Sequence, residues 1–152
     1  VLNKEHCLFN NFVLALLIFL GLTSTAFTAT LTAVCGPLKG NTVWISGSLE
    51  NHKSLSYSDK MDGQFTFKWD VGSKEAIITG SGQNPIQENG IVALSVPEQV
   101  SAVVIYPGSV FLYSIFPERK IMLIAKHTYI RGSEFDAARG FIMQGDCVIN
   151  VK

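Results

Sequence analysis

From Gln64 to Val71 the chain alternates without a break. Phe65, Phe67, Trp69 and Val71 fall on one side, Thr66, Lys68 and Asp70 on the other. A period of two sends successive side chains to opposite faces of a strand. The segment therefore reads as a half-buried strand with an aromatic inner face, and such a strand needs partners to be stable. Gly72-Ser73 supplies turn chemistry, and Glu75–Thr79 reads as the returning strand. A loop that set Asp70 against Glu75 would be opposed by like-charge repulsion.

A second hairpin is clearer. Val110–Phe116 runs into Pro117-Glu118-Arg119-Lys120 and returns over Ile121–Ile130. Proline early in a four-residue polar break suits a type I turn. Pairing Phe116 with Ile121 puts Phe111, Tyr113 and Ile115 on one face with Met122 and Ile124. The other face carries Val110, Leu112, Phe116, Ile121, Leu123 and Ala125, with Ser114 the one polar member. With both faces mostly apolar, the hairpin is expected to be central or covered on both sides. The two hairpins share a spacing of aromatic residues, read here as the common pattern of any aromatic hairpin rather than a duplication.

Further strands are expected at Thr42–Ser46, Ser54–Ser58, Gly90–Val96, Ser101–Tyr106 and Phe141–Ile149. Turn-like separators include Gly36-Pro37, Asp62-Gly63, Asn89-Gly90 and Pro107-Gly108-Ser109. No window shows a sustained 3.6-residue period. One short helix is expected at Ser133–Gly140, with Ser133 as cap and Gly140 as stop. About eight strands in a meander must close into a small antiparallel β-barrel or pair as a β-sandwich, because open edges invite aggregation. An immunoglobulin-type sandwich fits less well, since its disulfide joins middle strands.

The N-terminal segment reads as an address. Phe12–Leu22 is an apolar run of 11 residues, too short to span a bilayer and right for a secretory signal core. Ser24-Thr25-Ala26 places small residues at −3 and −1, so residues 1–26 are expected to be a cleaved signal peptide and 27–152 a single all-β domain. The expected location is periplasmic or secreted. Cys35 lies too far behind the apolar run, after a bulky Val34, to be a lipoprotein cysteine. Cys7 leaves with the signal, so Cys35 and Cys147 remain. An even count in an oxidising compartment predicts one disulfide between the first and last mature strands.

The chemistry-bearing inventory is thin. The chain has 12 basic and 12 acidic side chains in 152 residues, and this neutrality without a basic patch argues against nucleic acid. His52 and His127 are the only histidines after residue 26. There is no G-x-S-x-G elbow and no C-x-x-C pair. No spacing supplies three zinc ligands, and Ser58–Gly63 lacks the acids of a calcium loop. No catalytic residue, metal site or cofactor is assigned. The aromatics Phe65, Phe67, Trp69 and Tyr113 are the candidates for a core or for the lining of a cavity. The resulting reading is an exported, non-catalytic binding protein holding a small apolar ligand or envelope lipid in a barrel. The alternative is a protein–protein interaction module, such as an enzyme inhibitor or adhesion factor. An enzyme ranks last.

Overall fold

The computed structural model describes residues 28–46, 53–81, 85–130 and 137–152. The expected signal segment and His52 lie outside them. The described chain is all β: ten strands and no helix.

The first four strands form one long bent ribbon. β1 (Thr30–Cys35) pairs antiparallel with β4 (Phe65–Asp70), and β2 (Leu38–Ser46) with β3 (Lys53–Met61). The bend falls at Gly36-Pro37 on one side and 62–64 on the other. Gly36 has φ of 131°, and a Cβ there would meet the Gly63 carbonyl oxygen at 2.5 Å, so only glycine fits. A meander follows: β5 (Glu75–Gly80), β6 (Ile86–Val96), β7 (Gln99–Tyr106), β8 (Ser109–Phe116), β9 (Ile121–Ile130) and β10 (Ala137–Val151).

β10 closes the ring. Of its 15 residues, Ala137–Asp146 pair with β9 along one edge. Along its other edge β10 pairs first with β2, over Ala137–Gln144, and then, from Cys147 to Val151, with β1. The sheet order β1-β4-β5-β6-β7-β8-β9-β10, with β1 bonded to β10, is a closed antiparallel barrel of eight staves; β2 and β3 extend it beyond one end. The barrel is thus the form taken, and the meander is interrupted by the β2–β3 excursion.

Two expected features are corrected. Residues 137–140 of the expected helix belong to β10, while 133–136 lie outside the described residues. Ala137–Gly140 is flanked by β9 and β2, so both ladders take backbone groups that a helix would need. Asn89-Gly90 is no turn but the middle of β6. A Cβ on Gly90 would stand 3.0 Å from Ala102 Cβ and Ile78 Cδ1, so glycine is there for close packing against side chains of the two flanking strands, β7 and β5.

The β8–β9 hairpin has the expected register, Phe116 opposite Ile121, and Lys120 closes its turn with φ of 54°. The β4–β5 ladder runs from Phe65↔Gly80 to Lys68↔Ile77 and stops short of the Asp70–Glu75 pair it would otherwise create. Asp70 instead accepts the Thr30 hydroxyl at 2.6 Å.

The core lies inside the barrel. Ala33, Phe67, Ile78, Ile115 and Met122 are fully buried, one from each of five staves. In an eight-stranded barrel the interior is just wide enough for side chains to fill. Cys35 and Cys147 face each other across the β1–β10 seam and are bonded, S–S 2.01 Å, with Cα atoms 4.0 Å apart.

Candidate functional site

Phe65, Phe67 and Trp69 project inward from β4, and Tyr113 from β8. All four are buried members of one hydrophobic cluster. Trp69 donates its indole N–H to the Ser73 carbonyl at 2.9 Å. Tyr113 also belongs to a polar group that sequence reasoning missed.

That group is built on Glu88. The inward positions of β6 are Ile86, Glu88, Gly90 and Val92, so alternation places a carboxylate in the barrel wall. Tyr106 donates its hydroxyl to Glu88 Oε1 at 2.6 Å, and Tyr113 donates to Oε2 at 2.7 Å. Both carboxylate oxygens are thereby satisfied, as a buried charge requires. The bond to Glu88, then burial, then the carboxylate charge push the Tyr106 hydroxyl pKa up to about 12. Burial foremost, and then the same carboxylate, raise Tyr113 further.

A raised tyrosine pKa means that the folded state holds the proton more tightly than the unfolded chain. The stabilisation is complete below pH 10 and is lost as pH rises toward about 12. The unfolding midpoint should therefore fall over that window, and tyrosinate absorbance should show Tyr106 ionising late. Glu88→Gln removes the charge and should return Tyr106 toward its ordinary value. A titration unchanged in that variant would contradict the assignment.

Next to this group, β9 points Lys126 and Thr128 inward and β10 points Arg139 and Phe141 inward. The Lys126 ammonium sits 4.4 Å from the Phe111 ring centroid. Phe111 is stacked on Tyr113 at 6.0 Å and 6°. Burial, and then the Arg139 charge, hold Lys126 below the usual lysine pKa, with Glu88 opposing. The Arg139 guanidinium lies 4.9 Å from the Trp44 ring and 3.5 Å from Asp59 Oδ2. The Asp59 carboxyl is held below its ordinary pKa chiefly by the Thr42 hydroxyl, then by the Lys60 N–H and Arg139, against a burial effect of opposite sign.

The outside of the same strands is different in kind. Ile91, Val103, Leu112, Ala125 and Ile142 stand opposite one another across β6 to β10, one unbroken apolar row. Beside it a groove of about 1250 Å³ runs over β8, β9, β10 and β2. Outward Ala138, Gly140 and Ile142 form its floor. Val43 and Ile45 stand on one wall, Val110 and Tyr129 on the other. Ile142 is 59% exposed, Ile45 44% and Val110 40%. The β8–β9 hairpin is thus central in the sheet, as its two apolar faces implied; on its outer face Ser114 is buried against Ser101, while Val110 and Leu112 remain exposed.

The fold and these two surfaces define a small disulfide-closed β-barrel with a packed interior, a polar mouth and an apolar outer groove. Compared with known families and curated proteins, the chain matches no family model and no curated sequence.

Proposed function

We propose that this protein is a non-catalytic binding module of an oxidising, extracytoplasmic compartment, and that it docks a partner protein on its outer groove. The observation that carries the reading is the exposed apolar row continuous with the groove floor. Contiguous apolar patches of this kind mark interaction surfaces. The Cys35–Cys147 bond supports the compartment. The packing of Phe67, Trp69 and Tyr113 into the core favours this surface over the barrel lumen as the docking place.

The partner is expected to present a large apolar side chain over Ala138 and Gly140, with acidic residues beside it. None of the groove's lining residues is acidic, and Lys39 and His127 stand among them. Electrostatic complementarity of this sort selects partners and speeds encounter.

A fill-in variant tests the site. A Cβ on Gly140 would meet only the Lys126 carbonyl oxygen at 3.5 Å and His127 Nδ1 at 3.9 Å, so a side chain fits without moving backbone. Peptides selected from a display library on the immobilised oxidised protein should carry an apolar anchor flanked by Asp or Glu. They should bind Gly140→Leu at least about tenfold more weakly, as expected for loss of an anchor pocket, with the unfolding midpoint kept. Peptides that bind wild type and Gly140→Leu equally would reject the groove.

A further inference from the structure

We propose that the mouth of the barrel is a second binding site, for an anionic amphiphile. Its acidic headgroup, carboxylate or phosphate, would be held between Lys126, Thr128 and Arg139, with its apolar part against Phe111, Phe141 and Trp44. Thr128, Arg139 and Phe141 also border the docking groove through the strands they share with it, but the site's side chains project to the opposite face of the sheet from the groove floor at Ala138, Gly140 and Ile142.

The strand register assembles these six residues. Lys126 on β9 stands directly opposite Phe111 on β8 and Phe141 on β10. Two residues further along β9, Thr128 stands opposite Arg139, which in turn faces Trp44 on β2. Side chains opposite one another on antiparallel strands share a face and lie within contact reach. Two cations are therefore set side by side between three aromatic rings.

Their usual partners are missing or already engaged. Among the described residues Lys126 forms no ion pair. Its ammonium rests on ring faces, 4.4 Å from the Phe111 centroid and 6.0 Å from that of Phe141. Both Glu88 oxygens accept tyrosine hydroxyls. The Asp59 oxygens accept the Thr42 hydroxyl and the Lys60 N–H, and Arg139 reaches that carboxylate through one terminal nitrogen only.

Two polar atoms at the same spot are orphaned. Arg139 Nε and Thr128 Oγ1 are buried and have no hydrogen-bond partner. Buried donors left unpaired are rare and costly, and they call for a partner that completes them. A ligand acid group supplies what all three lack: a negative charge for Lys126, an acceptor for the Arg139 Nε–H and an acceptor for the Thr128 hydroxyl. The aromatic surroundings disfavour a bare hydrated ion and favour an anion with an apolar body.

Calorimetric titration of the oxidised protein tests this with five probes: dodecanoate, dodecyl phosphate, dodecanol, acetate and inorganic phosphate. The two amphiphilic anions should bind, and the other three should bind at least about tenfold more weakly. A preference between carboxylate and phosphate supports the site and names its headgroup. Lys126→Met and Arg139→Gln should each weaken dodecanoate about tenfold or more, while Gly140→Leu should leave it unchanged. Arg139→Gln also removes the Asp59 pair. Thr128→Val keeps the shape and deletes only the orphaned hydroxyl, and it should weaken dodecanoate severalfold. No binding of either amphiphilic anion would overturn the proposal. So would dodecanol or inorganic phosphate binding as tightly as dodecanoate, or full affinity in Lys126→Met and Thr128→Val. Loss of dodecanoate binding in Gly140→Leu would place the ligand in the outer groove and overturn it too.

Discussion

Truncating Phe67 to alanine is expected to remove about 3–5 kcal/mol of stability, the usual cost of a deleted core aromatic. The ring is fully buried and sits on the middle of three adjacent staves, opposite Ala33 on β1 and Ile78 on β5. Ala33 is too small to move into the space, and strands bonded on both edges cannot close in upon it. The site therefore collapses poorly, which puts the cost toward the upper end. Denaturant unfolding reads the loss as a lower midpoint with an unchanged slope. As a surface control, Ile105→Ala, at a residue 67% exposed, should stay within about 0.5 kcal/mol of wild type. A Phe67→Ala midpoint equal to that of the control would mean that β4 faces the other way.

The second large effect concerns the seam. Cys35 and Cys147 are separated by 112 residues in sequence and directly paired in space. Cross-linking a loop of that length restricts the unfolded chain by about 5 kcal/mol on the entropy model, an upper figure because native strain subtracts from it. Cys147→Ser should lose about 2–5 kcal/mol relative to oxidised wild type. Wild type with added reductant should melt with the variant. Oxidised and reduced protein melting at the same temperature would remove the bond from any account of stability.

Alternation made the barrel legible wherever one face was apolar and the other polar. Phe65, Phe67 and Trp69 show it on β4, and the four-residue turn at Pro117–Lys120 set the β8–β9 register to the residue. It failed where local chemistry and tertiary demand disagreed. Gly140 resembles a helix stop but serves as groove floor in a strand bonded on both edges. Asn89-Gly90 resembles a hairpin turn, yet Gly90 is needed for clearance against Ala102. Glu88 was illegible for a different reason. Its neighbours Gln87 and Asn89 are as polar as it is, so nothing local distinguishes the inward carboxylate from two outward amides. The signal lay in its distant partners, Tyr106 and Tyr113, on two other strands. The outer groove had a trace in sequence, the apolar second face of the β8–β9 hairpin. What was missing was the knowledge that Val110 and Leu112 on that face stay exposed beside the groove.

The way β10 is shared bears on when the molecule can form. β5 to β9 and the β2–β3 hairpin need only neighbours in sequence, so they can pair while the polypeptide is still emerging. β1 and β2 cannot complete their outer edges until β10, about a hundred residues further on, has been made. Contacts of such long range are slow to make. A chain in which β10 has not yet been made is consequently an open ribbon with two unsatisfied rims. Only the arrival of β10 permits the ring to shut and brings the two thiols within reach of an oxidant. Deleting 147–152 should thus leave a species that stays protease-sensitive and never locks.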